Sequence, residues 1–200
     1  MKTNTIVLLA ALLLPGLLRA QDSADYRVLG SPDAPVELAI YSDFECPYCR
    51  NFALAALPAI TAEFVDRELV RLRYIYFPLA AIHRNAVSSA KAAHCAGVAG
   101  RFWAYHDYLY VRQPEWSGAA APDSLWIDYA ESLGLEPQEF TSCLSAPETL
   151  AVVESDVREA LDSGATGTPT IVLGNRSLVG LASYEELRAE ILAAIEDAQR

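Results

Sequence analysis

Val36-Glu37-Leu38-Ala39-Ile40-Tyr41, followed by Ser42-Asp43-Phe44-Glu45 and then Cys46-Pro47-Tyr48-Cys49, is the stretch on which the fold turns. The first six residues are mainly apolar and of strand length, as a strand buried on both faces requires. Ser42 to Glu45 reads as a polar break. From Cys46 a helical pattern runs to about Phe64, with Phe52, Ala55, Ala56 and Ala59 on one face and a kink expected at Pro58. The cysteine pair thus falls where a buried strand ends and a helix begins.

A thiol at that junction lies beside the unpaired N–H groups and positive dipole end of the helix, which favour a thiolate. A thiol pKa lowered from about 8.5 makes the sulfur reactive at neutral pH. Pro47 suits the first helical turn, where its missing N–H would have no partner anyway. The expected roles are Cys46 as exposed nucleophile and Cys49, one turn in, as buried resolving thiol. Two other readings of Cys-x-x-Cys remain open: a plain disulfide staple, and a zinc half-site, although no second Cys-x-x-Cys or closely spaced His pair supplies the other ligands.

Outward from this centre, Tyr26 to Leu29 is a candidate short strand and Ser31-Pro32-Asp33-Ala34-Pro35 a turn. Leu69 to Phe77 alternates apolar and basic residues and then turns aromatic, giving a second strong strand. From His83 to Ser163 the pattern is helical: an Ala-rich stretch to Ala96, then Arg101 to Val111, Ser124 to Leu133 and Pro147 to Leu161. Gly100, Pro114, Gly118, Pro122, Gly134 and Pro137 punctuate it. Strands return at Thr170 to Leu173 and Ser177 to Val179, joined by Gly174-Asn175-Arg176. Ser183, with Glu186 three residues on, opens a closing helix through a capping box. Gly167-Thr168-Pro169-Thr170 puts a proline at the start of a strand, where a cis bond and simple turn punctuation are both open readings.

At the N-terminus, Lys2, the apolar run Ile6 to Leu14 and Leu18-Arg19-Ala20 have the layout of a secretory signal peptide cut after Ala20. The run is short for a transmembrane anchor, and Pro15-Gly16 interrupts it. Loss of Lys2 and Arg19 would take the net charge from −11 to −13. So acidic a surface repels phosphate backbones and argues against nucleic-acid binding. Export would carry all four cysteines to a compartment where disulfides persist. Cys95 and Cys143 then most simply form a disulfide closing a loop of about 49 residues, which the chain-entropy model credits with roughly 4 kcal/mol. A second catalytic pair is the alternative.

The histidines carry less. His94 and His106 lie in aromatic or apolar helices and read as packed or solvated, whereas His83 follows a strand end and could face the cysteines. Phe102, Trp103, Tyr105, Tyr108 and Tyr110 read as core. No phosphate-cradling glycine loop is present, so no nucleotide cofactor is expected, and no metal.

Together these residues carry a resemblance. Tyr41 to Cys49 resembles the active-site segment of bacterial DsbA-like thioredoxin-fold proteins. Thr168-Pro169 matches that superfamily's cis-proline loop, and Ala92-Ala93-His94-Cys95-Ala96 and Arg101 to Asp107 resemble its helical insertion. The similarity extends over most of residues 26–195. It implies an α/β thioredoxin fold with a helical insertion between the second and third core strands, divided as 1–20 signal peptide, 21–82 first part, 83–163 insertion and 164–200 second part. It also implies a periplasmic oxidoreductase exchanging disulfides with unfolded, thiol-bearing exported proteins. Thr168 and Pro169 would then pair with substrate backbone, a membrane redox partner would restore the enzyme, and the chain would act as a monomer. Relatives often carry a bridge like Cys95–Cys143. They also often carry a buried acid six residues before the first cysteine. Here that residue is Ile40, and neither Glu37, Asp43 nor Glu45 is an obvious substitute by strand alternation, so proton transfer at Cys49 would rely on water.

Within that resemblance a disulfide-forming oxidase is the leading expectation and an isomerase or reductase the alternative. A copper-carrying metallochaperone is disfavoured, because the sole methionine, Met1, would leave with the signal peptide.

Overall fold

The computed structural model describes residues 25–180 and 183–200; the expected signal peptide, residues 1–20, lies outside them. Five strands form one sheet in the order β1-β3-β2-β4-β5. They are β1 (Val28–Leu29), β2 (Val36–Ser42), β3 (Val70–Tyr76), β4 (Thr170–Leu173) and β5 (Arg176–Val179). The strand preceding the cysteines is central. It pairs parallel with β3 (Ile40↔Tyr74) and antiparallel with β4 (Ile40↔Ile171). A strand covered on both faces must be apolar nearly throughout, and only Glu37 of β2 is exposed.

Parallel β2 and β3 need a crossover, and the helical run of residues 47–65 supplies it. It comprises α1 (Pro47–Asn51), a π-turn (Phe52–Ala56), α2 (Leu57–Ile60) and a second π-turn (Thr61–Val65). The expected kink at Pro58 takes this form: the proline has no N–H, and the turn before it widens so that Leu57 N–H reaches Phe52 O. Strands β4 and β5 form a hairpin whose two-residue turn puts Gly174 at φ +58°. A hairpin turn wants positive φ at that position. The closing helix is α9 (Tyr184–Ala198), and its Ser183–Glu186 capping box is formed as expected.

Between β3 and β4 lie α3 (Ala86–Val98), α4 (Phe102–Val111), α5 (Gln113–Trp116), α6 (Asp123–Ser132), α7 (Pro137–Ser145) and α8 (Pro147–Asp162). This is the interrupted thioredoxin arrangement that the resemblance implies. Two of these helices depart from the sequence reading. Pro114 and Pro137, taken as punctuation, sit in the first turns of α5 and α7, where a missing N–H costs nothing.

Three packed layers hold the site. Leu38, Ile40, Ile60, Phe64, Leu72, Ile171 and Ile191 fill the space between the sheet, the crossover helix and α9. Ala39, Tyr41, Ile75 and Ala160 close the opposite face under α8. Phe44, Tyr74, Tyr76, Phe102, Tyr105, Tyr110, Trp116 and Trp126 bind the helical block to the end of β2. The aromatic residues of α4 are therefore mostly core, with Trp103 and Tyr108 packed at its margin. Arg27 and Asp156 form an ion pair, and Asp156 also accepts Tyr76 N–H at 2.9 Å, fixing α8 to the end of β3.

Candidate active site

Cys46 is the N-cap of α1, with extended backbone (φ −71°, ψ 124°) and Pro47 following. Both Cys46 and Cys49 are free thiols. The Cys46 pKa is lowered to about 6, first by a hydrogen bond from the Cys49 thiol and then by the Thr168 hydroxyl and the N–H groups of Cys49 and Tyr48, while burial opposes them. A thiol with that value is about 90% ionised at pH 7, against a few per cent for an unperturbed one. Cys49 moves the other way. Burial raises it first and the adjoining Cys46 charge adds to this, whereas Ser42 and the Asp43 N–H pull it down. One cysteine is made a thiolate and its neighbour is kept a thiol.

The Thr168–Pro169 peptide is cis and stands over this pair, with Cys46 Sγ 3.4 Å from Thr168 O. The buried Thr168 hydroxyl has no hydrogen-bond partner among the described residues. Because this loop lies on the sulfur, Cys46 is only 4% exposed, which corrects the expectation of an exposed nucleophile; Cys49 is at 0%. Tyr48, at 58%, is the exposed member of the motif.

The residues of the polar break before the cysteines, Ser42, Asp43, Phe44 and Glu45, are all buried. Their polar groups have distant partners that spacing along the chain does not reveal. Asp43 accepts Glu45 N–H (2.8 Å) and Leu79 N–H (2.9 Å), and it meets His83 Nδ1 at 2.7 Å. Glu45 accepts Asn85 N–H (2.6 Å) and Gly118 N–H (2.7 Å). Gln113 Nε2 donates to Phe44 O and Cys46 O at 2.7 and 3.0 Å, and Arg50 Nε donates to Tyr110 O at 2.9 Å. Four elements of the helical block thereby fix the strand-to-helix turn. Each buried N–H so satisfied avoids a penalty of about 1–3 kcal/mol.

Among the sequence-selected residues, Cys46, Pro47, Tyr48, Cys49, Thr168 and Pro169 come together. Cys95 and Cys143 do not join them. They form a disulfide with Cα atoms 5.7 Å apart, tying α3 to α7 within the helical block. His83 reaches the site's edge through Asp43, while His94 bonds Tyr26 and His106 is buried against Phe44, Tyr74 and Tyr110. Ile40 is in the apolar layer under α9. Among the described residues no group of three or more His, Cys, Asp or Glu is placed to hold a metal, and no helix is long and apolar enough to cross a membrane.

The thioredoxin family profile matches residues 22–193. The chain is 35% identical over 173 residues to Na(+)/H(+) antiporter NhaA 3 of Salinispora tropica, covering 86% of this chain and 25% of that protein. It thus spans about a quarter of the length of that relative. It is 25% identical over 174 residues to disulfide bond formation protein D of Bacillus subtilis, covering 82% of this chain and 74% of that one. The crystal structure of oxidised BdbD from Bacillus subtilis superposes with a TM-score of 0.75 at 24% identity, over 85% of this chain and 92% of that chain.

Proposed function

The chain belongs to the thioredoxin family, and on that footing we propose that it is an exported thiol–disulfide oxidoreductase that forms disulfides in other exported proteins through Cys46 and Cys49. The observation that carries this is the opposed pair of thiols, Cys46 lowered to about 6 and Cys49 raised by burial, beneath the Thr168–Pro169 loop.

In the oxidised enzyme a substrate thiolate attacks Cys46 Sγ. The Cys46–Cys49 bond breaks, its electron pair goes to Cys49, and a mixed disulfide forms. A second substrate thiolate attacks the substrate sulfur of that bond and expels Cys46. The low pKa makes Cys46 a good leaving group, so release of the oxidised substrate is fast. The substrate has lost two electrons, which an acceptor in the membrane withdraws from the dithiol enzyme. Thr168 and Pro169 present backbone to the substrate chain, and Pro47 and Tyr48 form the rim it meets. The enzyme works as a monomer, without a bound cofactor, and its leader is residues 1–20, cut after Ala20. On this reading residues 21–82 and 164–200 carry the exchange site, and 83–163 brace it with Cys95–Cys143 as a structural bridge.

A thiolate stabilised in the reduced form makes the disulfide a stronger oxidant. Neutral Tyr48 adds no positive charge beside Cys46, which favours an intermediate potential, between about −270 mV for thioredoxin and about −120 mV for DsbA. Titration of Cys46–Cys49 against glutathione buffers tests the reading. A potential near or below thioredoxin's would overturn the oxidase and establish the reductase.

A further inference from the structure

Strand β2 ends at Ser42, which pairs with Tyr76 and whose carbonyl accepts the Phe77 N–H at 2.9 Å. Helix α1 starts only at Pro47. Asp43, the first residue between them, has neither ladder nor helix to set the direction of its peptide groups. Yet both of those groups face the reactive pair. Its N–H donates to Cys49 Sγ at 3.5 Å, and its carbonyl accepts the Cys46 N–H at 3.1 Å. The side chain supplies the missing hold. Oδ1 accepts the Glu45 N–H at 2.8 Å, while Oδ2 accepts the Leu79 N–H at 2.9 Å and meets His83 Nδ1 at 2.7 Å. Leu79 and His83 belong to one turn, closed by the His83 N–H to Leu79 O bond of 3.0 Å. The loop after β3 thus grips one carboxylate oxygen with two donors.

The Asp43 side chain has no exposure to water, whereas that of His83 is 18% exposed. A carboxylate so placed needs its charge answered on the spot. Burial pushes the Asp43 carboxyl up, and His83 first, then the Leu79 and Glu45 N–H groups, hold it down. A carboxylate only accepts, so Nδ1 carries the proton in the neutral ring as in the charged one. Without that donor the carboxylate takes up a proton or swings away, and the peptide bearing the Asp43 N–H is no longer fixed. Opening the Cys46–Cys49 bond puts its electron pair on Cys49, which is fully buried. Charge forming there is stabilised by a donor already aimed at it, and a misaligned donor loses most of its effect.

We propose that His83 is a positioning residue of the exchange reaction. Acting through Asp43, it keeps the Asp43 N–H aimed at Cys49 Sγ for the step in which that sulfur takes the electron pair of the disulfide. This rests on the exchange chemistry proposed above. The attacking thiolate bonds to Cys46, the Cys46–Cys49 bond breaks, and no proton moves in that step.

The test uses the full chain and two reactions that differ in whether Cys49 takes charge. One is reduction of the Cys46–Cys49 disulfide by dithiothreitol. The other is attack of Cys46 on oxidised glutathione in the Cys49→Ala background, where Cys49 has no part. His83→Phe keeps a ring and removes the donor. It should slow the first reaction about fivefold, as for one weakened hydrogen bond, and leave the second within about twofold. His83→Asn, whose amide can donate from the place of Nδ1, should restore the first to within about twofold of native. Asp43→Asn offers a single acceptor oxygen, should lose at least as much as His83→Phe, and decides the matter if that variant does not fold. Native-like reduction rates in His83→Phe and Asp43→Asn overturn this proposal alone. So does equal slowing of both reactions, which marks a general loosening of the site, or a loss that His83→Asn fails to recover. A native protein that neither dithiothreitol reduces nor oxidised glutathione oxidises overturns this proposal and the enzyme reading together.

Discussion

Glu45, the residue before the first active-site cysteine, accepts the Asn85 N–H through Oε2 at 2.6 Å, although forty positions separate them in the chain. Its other oxygen accepts Gly118 N–H at 2.7 Å. One buried carboxylate so ties the strand-to-helix turn to the start of α3 and to the loop after α5. Glu45→Ala leaves both N–H groups without an acceptor and should cost about 2–4 kcal/mol. Glu45→Gln keeps one acceptor and should lose roughly half of that. Chemical denaturation of the two variants checks the order.

Cys46 should react as a thiolate down to acidic pH. Alkylation of the dithiol protein should follow a midpoint near pH 6, with Cys46 labelled and Cys49 spared. Cys46→Ser should abolish exchange, and Cys49→Ala should accumulate mixed disulfides with substrate. Preferential labelling of Cys49 at pH 6 would reverse the assignment.

The same shift gives a pH dependence of stability with a definite sign. The folded pKa of Cys46 lies below its unfolded value, so the dithiol form holds this stabilisation above the ordinary thiol range and loses it as pH falls through about 6. The raised Cys49 acts oppositely, its contribution falling away as pH rises beyond the ordinary thiol value. The melting temperature of the reduced protein, relative to the oxidised one, should therefore decline between pH 8 and pH 5. Equal declines in both redox forms would assign the effect to other groups.

Thr168→Val removes the hydroxyl beside Cys46 and keeps the shape of the loop. The alkylation midpoint should move up, with labelling at pH 6 slower by about threefold and little change in melting temperature, as for loss of one weak hydrogen bond. An unmoved midpoint would show that the backbone N–H groups and Cys49 hold the thiolate without it.

The Cys95–Cys143 bridge ties α3 to α7, away from the reactive pair. The double Cys→Ala variant should lose about 2–4 kcal/mol and keep most of its exchange rate. Lost turnover at unchanged stability would instead make the bridge a relay.

What could be read in advance followed from local physics. Val36–Ser42 and Val70–Tyr76 are apolar at strand length, and Ser183 with Glu186 is a capping box, so these elements were legible. The cysteine motif and Thr168–Pro169 were legible because few chemistries ask for those residue types there. Helices α5 and α7 were not, since a proline signals a break and a first turn equally well. Ser42 to Glu45 read only as a polar break because their side-chain partners come from residues 79–118, and a polar side chain does not announce a distant donor. For the same reason Tyr110 read simply as core, one tyrosine among several, and its hydroxyl's bonds to Ser42 and Tyr74 were not legible.

The pairing of β2 with β4 also sets an order of events as the chain emerges and folds. The strand leading into Cys46 is made early, whereas its neighbour Thr170–Leu173 and the cis-proline loop follow only after helices α1 to α8 and strand β3. Closing so distant a contact is slow, and it cannot begin before that chain has emerged. Until then Cys46 lacks the Thr168 hydroxyl and the cover of the loop. The nascent protein therefore carries a duller thiol than the finished one. Full reactivity arrives with the last strands of the sheet, when there is no unfinished chain of its own left to attack.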